Sequence, residues 1–188
     1  IGVSAWIFWA DAVPDKKDSI VLEASDLNVT SKEPSVKYRG IFLNDEAPSL
    51  TGWVNAKFKG YNEEFYKHVY ELILRCKGNY LWPAMWSNIF SEDGKSSKIA
   101  NAELADKYGI VMGTSHHEPL CRAGLEWGDK HDDYGSDNKW NFNVNGDAIT
   151  EFWRDGVKRN MAFENVYTLG MRGEADSALP GTDEENID

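Results

Sequence analysis

Tyr108-Gly-Ile-Val-Met-Gly-Thr-Ser-His-His-Glu-Pro119 carries the pattern that decides the fold of this 188-residue chain. A glycine stops a helix, a short apolar run follows, and a polar cluster appears where that run ends. Ile110-Val111-Met112-Gly113-Thr114 is apolar continuously rather than alternately, which is the pattern of a strand covered on both faces. The helix before it is expected from about Ser97 to Tyr108, with Ala100, Leu104 and Tyr108 on one face and Gly109 at its end.

Toward the N-terminus the same unit recurs. Lys37 to Asn44 contains the apolar run Ile41-Phe42-Leu43 and ends in Asp45-Glu46, as a buried strand feeding a functional loop would. Asn62 is a plausible N-cap, with Glu63 and Glu64 in the first turn where the helix dipole favours negative charge. Phe65, Val69, Leu72, Ile73 and Cys76 then recur at helical spacing, and Gly78 is expected to supply a left-handed stop. The second strand is expected over Asn79 to Trp82, ended by Pro83, with Trp86 and Asn88 in its loop.

Toward the C-terminus the composition turns polar from Leu120 to Asn145, which reads as one long functional loop. A third helix is expected from near Asp147, with Ile149, Phe152, Trp153 and Val157 on one side, and a fourth strand over Val166 to Met171. Four strands alternating with three helices predict an α/β fold with parallel pairing. The expectation is the first half of a (β/α)8 TIM-type barrel, since a full barrel takes about 250 residues. A doubly wound sheet is the alternative, but the first turn lacks the Gly-x-Gly-x-x-Gly fingerprint. Residues 1–36 do not follow the alternation and read as the tail of an N-terminal α/β domain plus a linker, with a short strand at Ser19 to Leu22; 37–188 is the N-terminal half of the barrel. The absence of an initial methionine and the polar last residues predict an internal piece of a longer protein.

The formal net charge of −11 opposes a nucleic-acid partner. Ile1 to Ala10 is too short to span a bilayer, so no membrane partner is expected. The two cysteines, Cys76 and Cys121, read as buried free thiols rather than a disulfide.

Parallel strands of a barrel present their C-terminal ends to one mouth, so the polar clusters after the four strands are expected to converge. They offer the carboxyls Asp45, Glu46, Glu118, Glu174 and Asp176, and glycoside hydrolysis needs two such groups flanking the scissile bond. Eight tryptophans, Trp82 and Trp86 beside a strand end among them, suit the flat C–H face of a pyranose; Trp153 on its helix face reads as core. Arg172 is placed to grip the carboxylate of a sugar acid, or else to pair with Glu46 or Glu118 across the mouth. Adjacent residues of an extended strand point to opposite faces, so His116 and His117 do not share a metal ion easily, and no metal or other cofactor is expected. Ser115 lacks the Gly-x-Ser-x-Gly elbow of a serine hydrolase.

Lys37-Tyr-Arg-Gly-Ile-Phe-Leu-Asn-Asp-Glu46, Asn79-Tyr-Leu-Trp-Pro-Ala-Met-Trp86, Tyr108 to Pro119 and Thr168-Leu-Gly-Met-Arg-Gly-Glu-Ala-Asp176 together resemble glycoside hydrolase family 115, the xylan α-1,2-glucuronidases. The resemblance implies inverting removal of glucuronic acid or its 4-O-methyl ether from glucuronoxylan or its oligosaccharides. It implies Asp176 as one of two catalytic carboxyls, the other lying beyond Asp188. It implies Asp45, Trp86, His117 and Arg172 as substrate contacts, with Asn44, Glu46 and Glu118 beside them. Where the family pattern has glycine just before the aspartate, this chain has Ala175. The family also implies secretion or periplasmic residence, and a homodimer of the complete protein is allowed. The reading of a different class is a non-catalytic carbohydrate-binding protein on the same scaffold. The isolated 188 residues are expected to be inactive, because half a barrel leaves open sheet edges.

Overall fold

A computed structural model describes residues 3–10, 13–85, 88–116 and 118–187, with the backbone alone for Ala175. Four short strands, β1 (Gly40–Phe42), β2 (Tyr80–Trp82), β3 (Val111–Gly113) and β4 (Asn165–Val166), form one parallel sheet in the order β1-β2-β3-β4. Gly40 pairs with Tyr80, Tyr80 with Val111, and Met112 with Asn165. The mixed α/β class with parallel pairing is as the sequence predicts. Successive strands are neighbours, without the reversal of order found in a doubly wound sheet.

The helices are α1 (Ala24–Leu27), α2 (Ser49–Phe58), α3 (Glu63–Arg75), α4 (Ala100–Tyr108), α5 (Glu126–Lys130), α6 (Phe142–Asn160) and α7 (Asp183–Ile187). α3 forms for the reasons its sequence gives: the Asn62 side chain accepts from the Glu64 N–H at 3.0 Å, and Phe65, Tyr66, Val69, Tyr70 and Ile73 are buried along one stripe. α4 ends at Gly109 in the left-handed region, φ 68°. α3 ends differently from expectation. Lys77 takes the left-handed turn at φ 62°, and Gly78 is needed for space, because a Cβ there would stand 2.8 Å from the Arg39 carbonyl oxygen.

Several expectations are corrected. The strands are shorter than the apolar runs, and Val166 to Met171 pairs only at its start, because the ladder to β3 covers Asn165 and Val166. β1 is not buried: Ile41 and Phe42 are 44% and 51% exposed on an edge strand paired on one side. Ser19 to Leu22 forms no strand, and α2 stands unpredicted between β1 and α3, its Val54 and Phe58 buried. The long polar segment is not a plain loop; it holds α5 and two 3-10 turns, and α6 begins at Phe142, earlier than Asp147. Cys76 is exposed, since it caps α3 after the last buried turn, whereas Cys121 is buried; both are free.

Two apolar clusters hold the chain. The larger packs α2, α3 and α4 onto β2 and β3, with Phe58, Phe65, Tyr66, Tyr70, Leu81 and Met112 among its members. Asn101, fully buried in α4, stitches it: its side-chain amide donates to the Tyr61 and Phe90 carbonyls at 3.0 Å each, and its main-chain carbonyl accepts from the Tyr70 hydroxyl at 3.1 Å. Phe8 and Trp9 also pack here, Phe8 stacked on His68 with ring centroids 3.6 Å apart. The smaller cluster joins Trp127, Ile149 and Phe152, with Trp140 and Trp153 against them.

Candidate active site at the strand ends

The sheet being parallel, the segments after β1 to β4 leave from one edge, and hydrogen bonds tie them in pairs. After β1, Asp45 is 4% exposed; its carboxylate accepts from the Asn88 side chain of the β2 segment, and its carbonyl accepts from the Thr51 hydroxyl of α2. The Thr51 oxygen also lies 3.1 Å from the Tyr61 hydroxyl, and Tyr61 is pushed up from its ordinary value by burial. Asn44 and Glu46 are exposed, and the Asn44 amide donates to Glu46 at 3.2 Å.

The β3 and β4 segments make the second pair. The Thr168 hydroxyl donates to the Thr114 carbonyl at 2.9 Å, and the Leu120 N–H donates to the Thr168 carbonyl at 3.0 Å. Glu118 is buried within its own turn, its carboxylate accepting from Ser115 and its carbonyl from Thr114 at 2.6 Å. Beyond β4, Asp176 Oδ1 lies 2.7 Å from Arg172 Nε and 3.1 Å from His116 Nε2. One carboxylate thus joins the tips of two strands. Asp176 holds φ at 68°, a left-handed conformation that a glycine would take more readily than an aspartate.

Arg172 therefore pairs with Asp176, not with Glu46 or Glu118 as one reading of the sequence had it. Trp86 and His117 lie outside the described residues. The structure brings together Asp45 with Asn88, and His116 with Arg172 and Asp176. Among the described residues, no group of three His, Cys, Asp or Glu side chains is placed to hold a metal ion, and no helix is long and apolar enough to cross a membrane.

Sequence reasoning missed the device that fixes the long segment between β3 and α6. Glu126, 1% exposed, receives both Arg159 terminal nitrogens at 2.8 and 3.0 Å, Arg122 at 3.2 Å, and the Ala123 N–H at 2.7 Å. Arg159 also reaches Glu92 at 3.0 Å and the Cys121 carbonyl at 2.8 Å. Burial pulls down the affinity of both arginines for their protons. In Arg122 burial wins, while in Arg159 the hydrogen bonds and charge of Glu126 outweigh it and raise the value. The Arg122–Glu126 spacing of four was the one sequence signal available. The same segment delivers Trp140, whose indole N–H donates to the Arg172 carbonyl at 2.8 Å and so braces the turn that presents Asp176.

Comparison with known proteins places the chain in a family. The profile described as glycosyl hydrolase family 115 matches residues 31–188. A solved structure, titled as that of a novel family GH115 4-O-methyl-alpha-glucuronidase, BtGH115A, with specificity for decorated arabinogalactans, aligns at 34% identity with a TM-score of 0.78. The alignment covers 98% of this chain and 24% of that one, so the chain spans about a quarter of that protein's length. The curated proteins hold no match. On a family match running over most of its length, the chain belongs to glycosyl hydrolase family 115.

Proposed function

We propose that the complete protein is an inverting α-glucuronidase that removes glucuronic acid or its 4-O-methyl ether from a polysaccharide side branch. The observation that carries this reading is the Asp176 carboxylate held between Arg172 Nε and His116 Nε2 at the ends of two parallel strands. In an inverting reaction, water attacks the anomeric carbon, one carboxylate takes the water's proton, and a second carboxyl protonates the departing glycosidic oxygen. Asp176, aimed by the Arg172 guanidinium, is assigned the water-activating role. Arg172 also donates from Nη2 to the Asp176 carbonyl at 3.4 Å and so serves first to aim Asp176; its Nη1 is assigned to the uronate carboxylate. The acid is assigned to a carboxyl beyond Asp188, which inversion requires to stand about 6.5–9.5 Å from Asp176.

The sequential strand order supports reading 37–188 as the first half of a (β/α)8 barrel after a linker and domain tail at 1–36. Secretion or periplasmic residence, and dimerisation of the complete protein, belong to the same proposal. The polysaccharide is either glucuronoxylan, which the family resemblance implies, or a decorated arabinogalactan, for which the related solved α-glucuronidase has specificity.

Uronic acid release from both polysaccharides by the complete protein tests this. Asp176→Asn is expected to lower kcat by about 100-fold or more, with undiminished release removing Asp176 from catalysis. The 188 residues alone are expected to show no turnover. Binding without any release by the complete protein would establish the alternative, a non-catalytic carbohydrate-binding protein.

A further inference from the structure

A cleft of about 340 Å³ lies between the segment entering α6 and the turn that follows Asp176, bordered by Lys139, Trp140, Asn141, Glu174 and Ser177. We propose that it is a subsite for a neutral sugar of the polysaccharide chain that carries the uronosyl branch. The inference rests on the function proposed above and adds the part of the substrate that remains after cleavage.

Its position is set by the chain. Ser177 is the neighbour of Asp176, and adjacent Cα atoms stand about 3.8 Å apart, so the cleft's lining begins one residue along the chain from Asp176. Its size is that of a small-molecule site, for which about 300 Å³ is the lower end. Its aromatic wall is Trp140, with Ala178 and Pro180 as the other apolar lining. Trp140 is half-buried, and the rings around it, Trp127, Phe152 and Trp153, meet it at 59°, 77° and 84°, so none of the three lies parallel on it. A pyranose offers its C–H face to such a surface. The polar rim fits hydroxyl groups: Asn141, Ser177 and Glu174 provide donors and acceptors on both sides.

Charge selects a neutral occupant. The Lys139 ammonium is 3.2 Å from Asp137 and so already paired, while Glu174 borders the cleft, and a negative charge there opposes a second uronate. Trp140 thereby has two duties, a platform on one side and a brace for the Arg172 carbonyl on the other.

The test is calorimetric titration of the complete protein with an unbranched β-1,4-xylan hexasaccharide and, separately, an unbranched β-1,3-galactan hexasaccharide. One of them is expected to bind, and the one that does names the backbone. Trp140→Phe and Asn141→Gly are each expected to raise its Kd about tenfold. Asn141 is the N-cap of α6, its side chain accepting from the Asn143 N–H at 3.0 Å, and glycine is tolerated at a helix N-cap, so Asn141→Gly tests the cleft with α6 intact. Binding of neither oligosaccharide, or a Kd indifferent to both substitutions, overturns the subsite. Because no hydrolysis is read, a protein that binds but releases no uronic acid defeats the enzymatic reading alone.

Discussion

The two apolar clusters are built on different principles. Around Phe65 and Tyr70 the packing is almost wholly apolar and aromatic, stitched by one buried amide, Asn101. Around Trp127 and Phe152 only three residues are fully enclosed, and an ionic group does the joining: Glu126 collects Arg122 and Arg159, and the Arg122 guanidinium lies 3.8 Å above the Phe152 ring. The first cluster carries the sheet. The second fastens the segment between β3 and α6, residues 114–141, to α6, where directional bonds matter more than buried area. An apolar core tolerates small shifts in register, whereas a bidentate arginine on a carboxylate fixes one geometry. That geometry is passed on through Trp140 to Arg172 and Asp176.

The sharpest way to break this contrast is to damage each cluster once. Phe65→Ala, at a fully enclosed site, is expected to cost about 4 kcal/mol of unfolding free energy in urea. Glu126→Ala leaves two arginines facing each other without their shared partner and is expected to cost about 3 kcal/mol, with the loss felt first in hydrogen exchange of α5. A larger global loss from Glu126→Ala than from Phe65→Ala would show that the ionic cluster carries the fold as well.

A smaller effect separates the two cysteines. Burial pushes the Cys121 thiol up to about 12, beneath the Arg159 clamp, while Cys76 is exposed at the end of α3. At about pH 8, iodoacetamide is expected to label Cys76 alone, and mass spectrometry reads it directly. Labelling of Cys121 at a matching rate would mean that the second cluster opens readily. The smallest effect is at the edge of the first cluster. Burial holds His68, stacked on Phe8, below its ordinary 6.5. A base with a depressed folded-state value binds fewer protons folded than unfolded, so its contribution to stability declines as pH falls below 6.5. The urea midpoint of the wild type should therefore drop on acidification relative to His68→Phe; parallel pH profiles would place no such cost on His68.

How far the sequence could be read follows the same division. α3 and its cap, the helix stop at Gly109, the parallel pairing and the polar clusters after each strand were all legible, because each depends on residues within one turn or one run. α2 escaped because its apolar residues make no clear stripe; its buried side chains, Val54 and Phe58, are only two, and they pack against α3 and Phe8. The strand ends escaped because ladder length depends on the neighbouring strand, not on the apolar run. Of the candidate site, the residue types and their order were legible, and Asp45, Arg172 and Asp176 were singled out from sequence. Their partners were not.

The sequence by itself determined the alternation of strands and helices and the placing of carboxyls and an arginine just past strand ends, since period and turn chemistry are local properties of the chain. Only the tertiary structure decided that Arg172 turns to Asp176, that His116 joins them, and that Glu126 and Trp140 brace the loop from the side. Those choices are made by competition among charged groups of similar reach, and which pair forms depends on distances that exist only once the strands and helices have packed.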